Sequence, residues 1–347
     1  MLLIIRKWLV LLSFLISLPA GAQTGGKRTF SFLALPSHGK VAALGGNHIT
    51  ATGPEAGLML ANPALLPAGQ HRYVAFSFTD YVADVSHNTL TYVLAARQNS
   101  SWGLGLSYLH YGDFTQRDAA GQEAGKFSAA DYALSLTRAT TIDHFTLGAS
   151  LKLAVSAIAE YKAVALLTDV GGIFKHPDKD LTIGLAFKHI GYELRSFTGQ
   201  EREPTPFDVQ LGLSYKPEHM PFRFSITAHH LQQPDIVYLD TTGQARQHQS
   251  LKKSLADQIA RHLVLGGELL LSKNLNLRLG YNHLRRKELR LENAPGTAGF
   301  SMGLLLRIKG FQLDYARAFY HQAGASNFFT VGTDLGRFFK KKDPASS

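Results

Sequence analysis

The stretch SWGLGLSYLHY, residues 101–111, decides the fold. Taken at every second residue it separates into two sets. Trp102, Leu104, Leu106 and Tyr108 make one set, and Ser101, Gly103, Gly105 and Ser107 make the other. Successive side chains along a β-strand point to opposite faces, so one face is apolar and the other small and polar. The division recurs down most of the chain, with Gly, Ser, Thr, Asn or Lys on the second face. A closed antiparallel barrel with apolar residues toward lipid and a polar interior accounts for this pattern. The competing reading is a soluble sandwich with one wet face.

Fourteen strands are expected, near 72–79, 84–97, 101–111, 127–140, 143–156, 160–174, 181–190, 206–216, 222–231, 261–271, 274–284, 299–308, 311–320 and 327–335. The count is even, as in bacterial outer-membrane barrels. In residues 145–156, Phe145, Leu147, Ala149, Leu151, Leu153 and Val155 alternate with Thr146, Gly148, Ser150, Lys152, Ala154 and Ser156. Lys152, Lys188, Arg223 and Arg278 all fall on the polar face. A charge turned to the lipid midplane costs about 2–4 kcal/mol, so this placement is informative. Connection lengths give an independent check. Residues 98–100, 141–142, 175–180, 217–221, 272–273 and 309–310 are short, whereas 112–126, 191–205, 232–260 and 285–298 are long. All four long connections fall at one end of the strands, which a sandwich has no reason to arrange. They are read as extracellular loops, with both termini periplasmic.

Composition narrows the rest. No internal run reaches the roughly 18 apolar residues of a membrane helix. Residues 1–22 are expected to be a secretory signal: Arg6 and Lys7 precede an apolar run, Pro19 breaks it, and Ala20-Gly21-Ala22 is a small-residue cleavage site. Two of the 36 basic residues and none of the 26 acidic ones go with it, which leaves +8. For an exported chain that charge points to anionic glycolipid among the outer-membrane lipid, or to an acidic partner surface, rather than nucleic acid. There is no cysteine, which excludes lipoprotein anchoring and disulfides.

Residues 23–70 do not alternate. Val41, Ala42, Ala43, Leu44, Gly45 and Gly46 are followed by Gly53-Pro54 and by Asn62, Pro63, Ala64, Leu65 and Leu66. One short helix is expected over 55–61, ended by Pro63. This segment is too apolar for a solvated linker, and the barrel lumen is its natural container. The expected organisation is therefore a signal (1–22), an N-terminal hatch (23–70), a transmembrane barrel (71–336) and a periplasmic tail (337–347). Ala43, Leu44, Gly45, Gly46, Asn62 and Pro63 are the named hatch residues.

Catalytic motifs are missing. The chain carries no HExxH, phosphate-binding loop or cysteine nucleophile. Gly103-Leu104-Gly105 looks like half a dinucleotide fingerprint but lies mid-strand, where it reads as small lumen-facing residues. His229, His230, His262 and His283 are placed near one rim, and rim histidines are more often structural than ligands. No catalytic residue, metal or cofactor is expected. Two loop features stand out. Arg285, Arg286, Lys287 and Arg290 fall within six residues, and the longest loop, 232–260, contains Tyr238, Leu251, Lys252 and Lys253. Tyr238, Arg285, Arg286 and Lys287 are the partner-contact candidates. The competing reading of the basic run is a solvated rim.

These motifs resemble a known family. Phe30, Phe32-Leu33, Leu35-Pro36-Ser37, the run from Val41 to Gly46 and Asn62-Pro63-Ala64-Leu65-Leu66 are similar to the N-terminus of the PorQ family, outer-membrane components of the Bacteroidetes type IX secretion system. Gly125 to Ala129 leading to Asp131-Tyr132-Ala133-Leu134, Arg261-His262, and Gly280-Tyr281-Asn282 with Arg285-Arg286 fit it as well. The early elements are shared with PorV and more loosely with FadL-type lipid transporters; the order of the later ones favours PorQ. Ser37-His38-Gly39-Lys40 departs from the expected Ser-x-Ala-Arg but keeps its basic end. The resemblance implies a barrel of fourteen strands with a hatch. It also implies a non-enzymatic anchor for a PorZ-like surface partner, and through it a sortase and PorV, in a complex that processes cargo and couples it to anionic lipopolysaccharide. The alternative is a FadL-like transporter of hydrophobic molecules. A transporter needs an apolar cavity, and Lys152, Lys188, Gln210, Arg223, Asn276 and Arg278 line the interior poorly for acyl chains.

Overall fold

Alternation along the chain becomes a wall with two unlike faces. A computed structural model of the protein describes residues 29–51, 53, 55–67, 72–97, 99–118, 120–199, 202–236, 254–289, 296–321 and 324–338. Among these, fourteen strands run β1 (Tyr73–Asp80), β2 (Ser86–Arg97), β3 (Ser100–Arg117), β4 (Glu123–Ile142), β5 (Phe145–Ile158), β6 (Tyr161–Lys175), β7 (Leu181–Arg195), β8 (Asp208–Tyr215), β9 (Phe222–Ala228), β10 (Leu263–Leu270), β11 (Leu275–Asn282), β12 (Phe300–Ile308), β13 (Phe311–His321) and β14 (Gly324–Asp334). Each pairs antiparallel with its neighbours in sequence, and β1 pairs with β14 from Tyr73↔Asp334 to Asp80↔Asn327, which closes the barrel. Closure leaves no open sheet edge around the wall.

The two faces differ as the alternation requires. On β5, Leu147 and Leu151 point outward at 61% and 53% exposure, while Ser150 and Lys152 point inward at 3% and 4%. Outward Phe, Leu, Ile and Tyr side chains recur around the whole circumference. An apolar belt of that extent is far beyond what a soluble monomer leaves to water, and the barrel spans a membrane. Aromatic pairs mark its borders. Tyr108 stacks on Tyr132, and Phe145 lies against Phe174, each at 5.0 Å between ring centres. Arg138 sits 5.3 Å from the Trp102 ring at the short-turn end, as a cation at a lipid–water boundary does.

All six short turns lie at one end, here the turn mouth. The remaining connections lie at the other, the loop mouth. Among the described residues, parts of three of the expected long loops are regular. Residues 112–126 are largely a continuation of β3 and β4, because pairing persists after the apolar alternation has stopped. Two short helices cap the loop mouth where 232–260 and 285–298 were expected to be irregular: α2 (Leu255–Arg261) and α3 (His283–Leu289). β9 ends at Ala228 rather than 231, where His230 takes a positive φ of 55°.

The hatch fills the lumen. Among its described residues the one α-helix, α1 (Gly39–Ala43), was not expected; the helix expected over 55–61 is instead a 3-10 turn, Ala56–Leu60, followed by another, Pro63–Leu65. The Asn62 side chain accepts from the Ala64 amide at 3.0 Å and so starts that second turn. The sequence reading puts both termini at the turn mouth. Of the hatch, the structure describes the chain from Thr29, and Thr29 lies at the loop mouth, where its hydroxyl donates to Glu203 Oε2 at 2.7 Å. From there the chain threads downward to Pro67, whose carbonyl accepts from Ser101 Oγ at 2.7 Å near the start of β3.

Candidate functional site

The site that the fold builds is the plugged lumen together with its loop-side cap. At the loop mouth Phe30 and Phe32 pack on Leu109, Ala133, Ala154, Ala163, Ala165 and Leu167, with Tyr111 and Phe197 around them. Small wall residues here make room for two phenyl rings. Further down, the hatch backbone presses directly on wall glycines. A Cβ at Gly148 would overlap the Pro63–Ala64 peptide, and one at Gly171 would overlap the Asn62 side chain. Gly103, read from sequence as lumen-facing, would carry a Cβ 2.7 Å from Met59 Sδ. Asn62 and Pro63 thus sit low in the barrel, beside the turn-mouth ends of β5 and β6.

Ala43, Leu44, Gly45 and Gly46 form the turn after α1, packed on β10 to β13. Gly45 and Gly46 both have positive φ, 95° and 91°, which a residue with a Cβ adopts poorly. Ser301 Oγ donates to the Ala43 carbonyl at 2.9 Å and accepts from the Gly45 amide at 3.1 Å. Asn282 Nδ2 donates to the Gly45 carbonyl at 3.2 Å, and so does Arg285 Nη1 at 3.3 Å. The same guanidinium donates to Tyr320 Oη at 3.2 Å and lies 4.6 Å from that ring. Arg285 therefore faces inward and ties α3 to the hatch, not outward to solvent.

Several charges inside the lumen are paired. Arg278 sits between Glu268, at 2.8 Å from Nε, and Asp314, which meets Nη1. Arg223 reaches Glu268 at 3.4 Å and Asp180 at 2.8 Å. Lys152 pairs with Asp169, which also accepts from the His189 amide at 2.8 Å. Lys40 and His38 of the hatch approach the buried Glu55 at 3.8 Å and 3.9 Å. His38, Glu55 and Asp314 present one ligand atom each within 4.8 Å of one another. His38 Nδ1, however, accepts from the Lys40 amide at 3.1 Å, which puts the ring proton on Nε2, the atom that faces Glu55. That tautomer and the Arg278 guanidinium on Asp314 suit an ion-pair network rather than a metal. Asp314 and Glu55 were not singled out from sequence; alternation along β13 puts Asp314 on the inner face with Gln312, and that signal was there to read.

Little space remains. The cavity beside Phe32, Leu33, His87, Ser107 and Lys152 holds about 30 Å³, and the one beside Ala34, His48 and Gln210 about 10 Å³. Water needs at least about 10–15 Å³ on this measure, and a benzene-sized guest about 150 Å³. Each of these two cavities is large enough for water at most and too small for a hydrocarbon.

On the loop-side cap, Arg286 Nη1 donates to the carbonyls of Gly296 and Ala298 at 2.5 and 3.3 Å, and Lys287 Nζ lies 3.1 Å from Asp257. Asp257 also takes Arg261 at 2.9 Å and His283 at 3.1 Å, joining α2 to α3. Burial raises the Asp257 pKa, but hydrogen bonds from His283, Arg261 and Lys287 outweigh it and hold the carboxyl below its usual range. The described part of the basic run is thus engaged within the chain; Tyr238 and Arg290 lie outside the described residues. His229, His230 and His262 meet at the rim, where His262 Nδ1 is 2.8 Å from the His229 carbonyl oxygen. His283 joins Asp257 instead.

Comparison with known proteins places this geometry. A family model described as "Uncharacterised protein family (UPF0164)" matches residues 19–280. A search of curated proteins gives no match. Among solved structures, the Pseudomonas putida toluene transporter TodX is similar over 86% of this chain and 96% of its own, at 12% identity and a TM-score of 0.50. A TodX monoaromatic hydrocarbon channel mutant, deltaS2, is similar over 86% and 97%, at 14% identity and 0.52. A Pseudomonas aeruginosa FadL homologue covers 86% and 98%, at 10% identity and 0.46. The feature shared with the TodX structures is the fold, a closed antiparallel barrel.

Proposed function

Because this chain belongs to UPF0164, an uncharacterised protein family, and folds as a FadL-type barrel, we propose that it is a non-enzymatic outer-membrane anchor for a surface protein. The observation that carries the reading is the plugged lumen: a hatch bonded to the barrel from Thr29 to Pro67, with ion pairs around it and cavities of about 30 Å³ and 10 Å³. In this reading residues 1–22 direct export and are removed, the loop mouth is extracellular, and the C-terminal end is periplasmic. The resemblance to the PorQ family supports a PorZ-like partner and, through it, a sortase and PorV in a type IX attachment complex. Tyr238 and residues 285–287 remain contact candidates, but the engaged side chains of Arg285, Arg286 and Lys287 make them supports of the loop-side surface more readily than free contacts. Anionic lipopolysaccharide is the second candidate for that surface.

The similarity to TodX favours a second reading, transport of hydrophobic molecules. It requires the hatch to move, since the two cavities beside it are too small for such a guest. Purification of the tagged barrel from native outer membrane discriminates the two. Co-purification of a large exported protein, lost when 232–260 is shortened, supports the anchor. A barrel that purifies alone and binds fatty acid replaces the anchor with the transporter.

A further inference from the structure

β3 and β4 are longer than the wall needs, at 18 and 20 residues. β3 pairs with β2 only as far as His110, and β4 pairs with β5 only from Ala129. Beyond those rungs the two strands pair with each other alone, through Asp113↔Ser128, Phe114↔Phe127, Thr115↔Lys126, Gln116↔Gly125 and Arg117↔Glu123. The tip is closed by Asp118, whose Oδ1 accepts from the amides of Ala120 and Gln122 at 2.9 Å each. Five rungs at about 3.4 Å per residue make a ribbon roughly 17 Å long, standing off the loop mouth. Residues 113–118 and 120–126 are exposed throughout.

Two independent features of the ribbon require something to cover it. The first is its edges. Among the described residues, nothing outside the ribbon hydrogen-bonds to residues 113–117 or 123–127; Ser128 alone is tied back, to the Ala159 amide. A lone two-stranded ribbon is marginally stable in water, and an open edge is a template for another strand. The second is an aromatic pair. Phe114 and Phe127 stack 5.2 Å apart at 19°, and Phe114 is 41% exposed. Phe127 shares a face with Ala129 and Asp131, both buried on the lumen side. The pair therefore looks over the mouth and away from lipid. Charge selects among occupants. Asp113, Asp118 and Glu123 outnumber Arg117 and Lys126, and Arg117 is paired with Glu123, so the ribbon offers no basic cluster to an anionic glycolipid, while its backbone edges suit polypeptide.

We propose that this ribbon is a docking strand pair: an extended segment of a second, exported protein adds to one of its edges and covers Phe114 and Phe127. The proposal rests on the anchoring reading and gives its partner a place. Sequence alternation read the same residues as a loop, so nothing in the basic run at 285–290 pointed here.

The test uses full-length barrel purified from native outer membrane with its co-purifying protein, and hydrogen exchange of the complex against the barrel stripped of that protein. Amides within 113–117 and 123–127 are expected to exchange freely in the barrel alone and to slow at least 100-fold in the complex. The double variant Phe114→Ser and Phe127→Ser, folded by its heat-dependent gel mobility, is expected to lower co-purification at least tenfold, while Lys179→Ala, in a short turn at the opposite mouth, does not. A partner that stays bound to the double variant, or that leaves the ribbon amides unprotected, overturns the ribbon and leaves the anchor standing. Protection that comes from a second copy of the barrel, or from lipopolysaccharide, also overturns it. Absence of any co-purifying protein overturns the anchoring reading and the ribbon together.

Discussion

Arg285, on the helix that caps the loop mouth, donates to the carbonyl of Gly45 at 3.3 Å, in the turn that ends the hatch helix. One side chain thereby joins the helical cap of the loop mouth to the plug inside the barrel. Tyr320 holds the guanidinium in place from β13. Arg285→Ala removes this tie while leaving the Ser301 and Asn282 bonds to the same turn. In planar bilayers the variant is expected to show conductance bursts at least several-fold more often than the parent barrel. Equal silence of the two would show that Arg285 does not hold the hatch.

The wall glycines supply a sharper pair of substitutions. Gly171 lies against Asn62, so Gly171→Val forces the hatch off its seat, an overpacking cost of about 1–3 kcal/mol or more. Gly267 faces outward with nothing within 4 Å of a Cβ, so Gly267→Val is expected to be neutral. Heat-dependent gel mobility compares them directly. A lower unfolding temperature for Gly171→Val alone fits the account; equal temperatures contradict the packing described.

Inside the lumen, Arg278 neutralises Glu268 and Asp314 together. Arg278→Met leaves two buried carboxylates short of their partner, which costs about 3–5 kcal/mol when a buried pair is broken from one side. Urea unfolding of the detergent-refolded barrel reads this as a lower midpoint. Adding Asp314→Asn to the same chain is expected to restore part of the loss, because the stranded charge goes with it.

On the loop-side cap, Asp257 links α2 and α3 through His283, Arg261 and Lys287, and those bonds hold its folded pKa below the unfolded value. A depressed carboxylate stabilises the folded form above the unfolded pKa and loses that contribution as pH falls through the folded one. The α2–α3 pairing is therefore expected to persist at about pH 5 and to loosen only in stronger acid, below the ordinary carboxylate range. Hydrogen exchange of residues 255–261 checks this. Asp257→Asn should loosen the helices at every pH.

Much of the barrel was legible in the sequence because a lipid-facing wall obeys a strict period of two. Trp102, Leu106 and Leu147 had to face one way, and Gly103, Lys152 and Arg278 the other. Strand ends were less legible where that demand lapses. In the ribbon beyond His110 neither face meets lipid or core, so alternation stopped while pairing continued. The helices α2 and α3 are seven residues each and joined through Asp257, whose contacts to His283 and Lys287 no periodic pattern reports. The hatch was legible as a plug by composition. Its path was not, because contacts such as Gly148 against Ala64 and Thr29 to Glu203 join residues far apart in sequence. For the same reason Arg285 read as a surface charge, although its partner is Gly45.

Orientation follows from the proposed export route. A short tag at Gly121, at the ribbon tip, is expected to be labelled on intact cells, and a tag at Lys179, in a short turn, is not. Labelling at Lys179 alone would invert the barrel and remove the extracellular surface on which anchoring depends.

The central claim is that this barrel holds a protein on its loop side and carries nothing through its lumen. Native mass spectrometry of the barrel released from native outer membrane tests it most directly. The account predicts a species with the mass of the barrel plus one exported protein, which falls to the barrel mass alone when that protein is stripped away, with no retained small molecule. A barrel that emerges without protein and carries a fatty acid or hydrocarbon would contradict it.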